Sequence, residues 1–220
     1  MLDLHLNTSH LRQTKLGDGL LTASVFKAAG GNVRWHLNEG DLSDAYTWNR
    51  LWPTVEHHFE KVELSFGTYD PRKRVHILGA FKQIGRQLIE PAFTPANIEE
   101  PYFTSQYVAR ENHRTIREGM REHLAKKHGE GLKEINLDDS MLPLDEYFGI
   151  IAGAEFHLGI NSAATWSARA LKKQAKVMLN KEDVYEPWVT LVSTGDYATV
   201  VENKLNADMS QPKRIDLKLN

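Results

Sequence analysis

The stretch Phe156-His157-Leu158-Gly159-Ile160-Asn161-Ser162-Ala163-Ala164-Thr165-Trp166-Ser167-Ala168-Arg169-Ala170-Leu171, closing on Ala175-Lys176-Val177-Met178-Leu179, decides the fold. It reads as strand, tight turn, helix, strand. Phe156 to Ile160 is a short apolar run bounded by polar turn residues, the pattern of a buried parallel strand. Asn161 or Ser162 is suited to cap the helix that follows. Ala164, Ala168 and Leu171 then recur at helical spacing, and Lys172 and Lys173 fall in the last turn, where cations suit the helix dipole. A strand feeding a helix through small polar residues leaves backbone N–H groups aimed beyond the strand end, which is an anion site in waiting. The same pattern also fits an ordinary βα turn that binds nothing.

Working outward, the N-terminal part repeats the logic. Leu2 to Leu6 alternates as a strand. Leu16 to Ala29 carries Leu21, Val25 and Ala28 or Ala29 on one helical face, and Gly30-Gly31 stops the helix. Asn32 to Leu37 follows as a strand, so this is a βαβ unit and implies a parallel sheet. Gly17-Asp18-Gly19 reads as a turn at the carboxyl end of the first strand, where ligands gather in open parallel sheets. Asp18 there is either a helix cap favoured by the dipole or a functional acid. The flanking glycines permit close approach of a ligand or another backbone.

Asp41 to Trp52 is expected to be a short helix with Trp48 and Trp52 in packing positions, and Lys61 to Phe66 a strand. His57-His58 is a weak metal pair with no third ligand in view. Arg72-Lys73-Arg74 reads as a solvated face. Val75 to Ile89 has helical periodicity. The prolines at 91, 95 and 101 mark residues 91–101 as a linker, dividing residues 1–90 from residues 102–220. Tyr102 to Tyr107 is the next strand, Arg110 to Lys127 a charged helix with Ile116, Met120 and Leu124 inward, and Leu132 to Leu137 a strand. Pro143 to Ala154 is a helix with proline at its start. Beyond Leu179 the pattern suggests a strand at Val189 to Val192, a helix at Tyr197 to Leu205 and a last strand at Arg214 to Leu219. The fold class is α/β, with two Rossmann-like lobes facing a cleft in a compact version.

Composition narrows the function. The chain has 220 residues, with 41% apolar and 25% charged, as an ordinary globular protein does. A net charge of −2 gives no bulk basic footprint for nucleic acid. No cysteine is present, which removes disulfides, thiolate metal sites and a cysteine nucleophile. No apolar run reaches the roughly 18 residues of a membrane span, and the first residues lack a signal-peptide pattern, so a cytoplasmic location is expected.

Lys15-Leu16-Gly17-Asp18-Gly19-Leu20 resembles the N-terminal Gly-Asp turn of the ADP-heptose–lipopolysaccharide heptosyltransferases, which are GT-B glycosyltransferases. The block Leu144 to Ala154 running into His157 to Leu171 resembles their donor-lobe segment. About a third of the chain carries the likeness. The family's usual Asp-Ser-Gly is Asn161-Ser162-Ala163 here, and Trp166 stands in the region of the family's following His. The resemblance implies transfer of a sugar from a nucleotide-sugar donor to an acceptor hydroxyl, without a metal or another cofactor. Asp18 would be the catalytic base. Lys15, Gly17, Gln106, Arg110, Asn161, Ser162 and Ala163 would hold the donor diphosphate, and Asp138 or Asp139 the ribose; Arg110 equally fits a salt bridge with Glu111 or Glu118, and Asp138-Asp139 a metal pair without further ligands. The acceptor would be a glycan precursor, or a hydroxylated DNA base if the source is viral, so nucleic acid enters only as acceptor. A nucleotide-binding protein without turnover and a sugar-nucleotide epimerase-like enzyme are the alternatives.

Overall fold

The computed structural model describes residues 2–5, 16–30, 32–37, 42–66, 77–109, 115–138, 140–180 and 196–205. Two parallel sheets organise them. The first has strands β1 (Leu2–His5), β2 (Asn32–Leu37) and β3 (Lys61–Phe66) in the order β1-β2-β3. Its register sets Leu4 beside Trp35 and Trp35 beside Leu64. The crossovers are α1 (Leu16–Ala28) and α2 (Leu42–Val55), as parallel pairing requires. A third helix, α3 (Ile77–Gln83), follows β3.

The second sheet contains β4 (Tyr102–Gln106), β5 (Lys133–Asn136), β6 (His157–Ile160), β7 (Ala175–Asn180) and β8 (Ala198–Leu205), all parallel, in the order β5-β4-β6-β7-β8. Helices α4 (Glu118–His128), α5 (Leu144–Gly153) and α6 (Ala163–Ala170) make its first three crossovers.

Several expected boundaries move. The helix expected over 75–89 is only α3, because Gly85 and Arg86 both turn left-handed, at φ 71 and 60. The Arg86 N–H then donates to the Phe81 carbonyl at 3.0 Å and closes the helix end. The helix expected from Arg110 begins at Glu118; Ile116 precedes it, fully buried, with its N–H on the Tyr107 carbonyl at 2.8 Å. The helix expected at Tyr197 to Leu205 is instead strand β8. Thr199, Val200 and Val201 are β-branched, and β7 offers an unpaired edge for them to complete. The Gly17-Asp18-Gly19 segment is not a turn but the first turn of α1. The expected strands at 189–192 and 214–219, together with Arg72 to Arg74, lie outside the described residues.

One apolar cluster joins the helices of both sheets: Leu20 and Phe26 of α1, Leu51 of α2, Phe81 of α3, Phe148 and Ile151 of α5, and Trp166 and Ala168 of α6. Helix α1 is buried from Gly19 to Phe26 on all sides, as a helix packed between layers must be. On the other face of the second sheet, Phe103, Leu124, Leu158, Ile160 and Met178 form a second cluster, with Phe103 stacked on Phe156 at 5.2 Å. Each such side chain contributes about 1.5–3 kcal/mol by leaving water.

Residues 87–101 have no regular structure, yet they are tied down at several points. The Ile89 N–H donates to Ser24 Oγ at 2.8 Å, Ala92 N–H to the Thr54 carbonyl at 2.6 Å, and Thr94 N–H to the Asp145 carbonyl at 3.2 Å. Gly149 of α5 makes the last crossing feasible, since a Cβ there would overlap the Thr94 carbonyl. Gly149→Ala is therefore expected to lower stability by about 1–3 kcal/mol through overpacking, read as a reduced midpoint in urea unfolding.

Candidate functional site

The order β5-β4-β6 contains a reversal. From β4 the chain crosses through α4 to β5 on one side, and from β5 it returns through α5 to β6 on the other. The carboxyl ends of β4 and β6 therefore flank a topological switch point, the place where open α/β sheets leave a crevice. Gln106 ends β4, in register with Gly159 of β6, and Asn161 and Ser162 lead from β6 into α6.

The polar groups here are unusual. Ser162 has the extended backbone of an N-cap, at φ −141, but its side chain makes no capping bond. Its Oγ is buried without a hydrogen-bond partner, and so is Gln106 Oε1. The first helical bond runs from the Trp166 N–H to the Ser162 carbonyl at 3.2 Å, so the N–H groups of Ala163, Ala164 and Thr165 precede the α6 ladder. Leaving a buried polar atom unpaired costs about 1–3 kcal/mol. Two such atoms lie near the N-terminus of α6, an end whose free N–H groups favour negative charge.

The face leading to this helix end is polar as well. Thr104 and His157 are register partners, with Thr104 Oγ1 and His157 Nδ1 3.1 Å apart. The His157 ring lies across Gly159, where a Cβ would overlap its Nε2, and that Nε2 has no partner. Burial pushes the imidazole down to about 3, so it is neutral. His157 and Gly159 were not singled out in the sequence. Their signal was the i, i+2, i+4 run His157, Gly159, Asn161 on one strand face.

Helix α1 reaches the same region from the first sheet. Its first turn holds Gly17, buried, and Asp18, half-buried. A Cβ at Gly17 would stand 2.8 Å from Trp166 Cδ1, so the glycine admits the indole. Trp166 is itself core: it packs edge-on to Phe81 at 6.0 Å and lies under the Arg169 guanidinium at 5.4 Å. The fold thus brings Gln106, Asn161, Ser162 and Ala163 together and sets the first turn of α1 against α6. Lys15, Arg110 and Asp139 lie outside the described residues. Asp138 is held in place at this strand end: its Oδ1 accepts the N–H groups of Tyr107 and Val108, both at 2.7 Å, and its Oδ2 accepts from Asn136.

The His57-His58 pair is engaged within the protein. His58 is engaged at both ring nitrogens, with Lys27 Nζ 3.0 Å from Nδ1 and the Glu90 carbonyl 2.7 Å from Nε2. Among the described residues no three His, Asp or Glu side chains group as metal ligands would.

No protein-family model matches the chain, and no curated protein matches it in sequence. Solved structures do match in shape. The bacterial iron-containing dodecameric glycosyltransferase TibC from enterotoxigenic E. coli superposes with a TM-score of 0.59 at 12% identity over 91% of this chain. A second TibC structure, in complex with ADP-D-beta-D-heptose, gives 0.55 at 12% identity over the same share. The E. coli heptosyltransferase WaaC with ADP gives 0.50 at 12% identity, covering 92% of this chain and 93% of its own. The fold is a heptosyltransferase-like one. This chain spans only 61% of the TibC chain, and the likeness is one of architecture, agreeing with the resemblance read from the motifs. Among the described residues no helix is long and apolar enough to cross a membrane.

The buried imidazole predicts acid sensitivity. An unfolded chain binds a proton at His157 near pH 6.5, whereas the folded chain refuses it until about 3. Its contribution is complete above pH 6.5 and declines as pH falls toward 3, by about 1.4 kcal/mol per pH unit where the unfolded histidine is charged. Urea unfolding at pH 7, 6, 5 and 4 should show a shallower decline in His157→Asn than in the parent.

Proposed function

We propose that this chain is a glycosyltransferase that moves a sugar from a nucleotide-sugar donor to an acceptor hydroxyl, its two sheets serving as the lobes of a compact GT-B-type enzyme. The observation that carries the reading is the pair of buried, unpartnered atoms, Ser162 Oγ and Gln106 Oε1, beside the open N-terminus of α6 at a switch point. A diphosphate satisfies them: its oxygens accept from the Ser162 hydroxyl and the first N–H groups of α6, and the Gln106 amide meets a donor hydroxyl. As the resemblance implies, Lys15 and Arg110 would add charge to the diphosphate, and Asp138 or Asp139 would bind the ribose. Asp138 shapes the neighbouring loop by holding the backbone of Tyr107 and Val108.

In the reaction, Asp18 takes the proton of the acceptor hydroxyl. The acceptor oxygen bonds the anomeric carbon as the bond to the leaving phosphate oxygen breaks, and the electron pair departs with the diphosphate. Charge then develops on the leaving group, where the helix N-terminus stabilises it. No metal is required in this scheme, the acceptor is a glycan precursor, and the reaction belongs in the cytoplasm.

ADP-heptose is the first donor to test, because a structural neighbour is in complex with it. ADP and ADP-heptose should raise the melting temperature, by mass action, beyond what UDP, GDP or CMP achieve. Ser162→Asp provides the control. Aspartate is a strong N-cap and keeps the helix stable, but its charge repels a diphosphate, so nucleotide binding should vanish without loss of fold. Asp18→Asn should keep nucleotide binding and reduce turnover about 10²–10⁴-fold. Turnover should persist in EDTA. An unchanged rate in Asp18→Asn removes Asp18 as base, and binding retained in Ser162→Asp removes the α6 cradle.

A further inference from the structure

A cavity lies at the C-terminal end of α6. It measures about 540 Å³ and is lined by Arg86 and Leu88 after α3, by Arg169 and Lys172 at the end of α6, and by Asp196 and Tyr197 at the entry to β8. Helix α6 has eight residues, so its two ends stand about 12 Å apart and the cavity is separate from the cradle at Ser162.

Three features converge there. The first is charge. Among the described lining residues, three cations face one carboxylate, Asp196. Arg169 is 6% exposed, and its Nε reaches the Asp196 carbonyl at 3.4 Å. Burial, and then the nearby Arg86 charge, hold its guanidinium below the usual range, while Asp196 opposes the effect. At the rim, Lys172 Nζ pairs with Glu90 Oε2 at 2.8 Å, both side chains being well exposed, so the pair is loose and exchangeable.

The second feature is backbone. Arg86, Lys172 and Tyr197 have φ of 60, 58 and 64, and among the described non-glycine residues only Glu130 shares that conformation. Left-handed positions after a helix normally go to glycine, which adopts them without a steric penalty. At the ends of both α3 and α6 a long cation stands in that place, and the two cations open into one cavity. A helix dipole accounts for a cation at either end, but not for their convergence with a buried arginine. The third feature is size. The volume exceeds what a bare phosphate fills and falls in the range of sites for small organic ligands. Leu88, Ala170 and the half-exposed Tyr197 ring supply an apolar wall.

We propose that this cavity binds a small organic phosphomonoester, its phosphate held by Arg86, Arg169 and Lys172 and its organic part against Leu88 and Tyr197. Arg169, already fixed by the Asp196 carbonyl, presents a rigid donor. Arg86 and Lys172 close on the phosphate from two different helix ends, and Lys172 exchanges Glu90 for it. Tight phosphate recognition by converging cations follows from charge-assisted hydrogen bonding.

Isothermal titration of the full chain with glucose 6-phosphate, inorganic phosphate and glucose tests this. Arg86→Gly and Lys172→Gly remove the charge and at the same time relieve the left-handed backbone, so loss of fold does not imitate loss of binding. Glucose 6-phosphate should bind more tightly than inorganic phosphate, glucose should not bind, and each glycine variant should weaken the phosphomonoester at least tenfold. Ser162→Asp should bind it as the parent does. No binding of glucose 6-phosphate to the parent overturns the proposal. So does binding that survives in both glycine variants, and so does binding abolished by Ser162→Asp, which would place the phosphate at the α6 N-terminus.

Discussion

The contact between Gly17 and Trp166 packs α1, the crossover of the first sheet, against α6 of the second. Trp166 is 8% exposed and touches three elements at once: the first turn of α1 at Gly17, Phe81 of α3, and Arg169 one turn along its own helix. An indole buried this deeply removes on the order of 150–250 Å² from water, more than any aliphatic neighbour. The glycine is required because the ring edge occupies the space of a Cβ. Asp18, the next residue, inherits its position from that contact. Its placement is thus a consequence of packing between helices of different sheets and not of local turn geometry.

This explains which parts of the fold could be read from the sequence. Strands β6 and β7 were legible because parallel strands buried on both faces are short apolar runs between polar turns, as Phe156 to Ile160 and Ala175 to Leu179 are. The helix that follows β6 was legible from Ser162 and the alanine spacing. The misreadings share a cause: helical periodicity says where an apolar face lies, not where the hydrogen-bond ladder stops. Ile84 and Leu88 keep the helical period beyond α3, although the backbone has already turned at Gly85 and Arg86. Ile116 fits an α4 face, but is a buried loop residue. In β8 the apolar spacing fitted either class, and the run Thr199-Val200-Val201 was the signal that should have prevailed.

The candidate site divides along the same line. Gln106 and Asn161 to Ala163 could be found by locating strand ends. The neutral His157 could not, because its state depends on β4 placing Thr104 beside it and on Gly159 leaving room for its ring. A charged imidazole in this position would put a cation into a layer otherwise filled by Val177 and Ala175 of β7, with no carboxylate among the contacts described for it. Keeping it neutral lets the polar strip Thr104, His157, Gln106 run through the sheet interior to the strand ends without a buried charge.

Helix α6 runs from the strand ends at Ser162 to the cationic cavity, buried along almost its whole length. Every residue from Ala164 to Ala170 is buried, with α1 against it on one side and β6 and β7 beneath. Such a short, enclosed helix has little freedom to bend. Its dipole has the same sense for both sites: an anion is favoured at Ser162, and the positive charges of Arg169 and Lys172 are favoured at the far end. One buried helix thus sets both ends: Ser162 at its N-terminus, and Arg169 and Lys172 where the dipole favours positive charge.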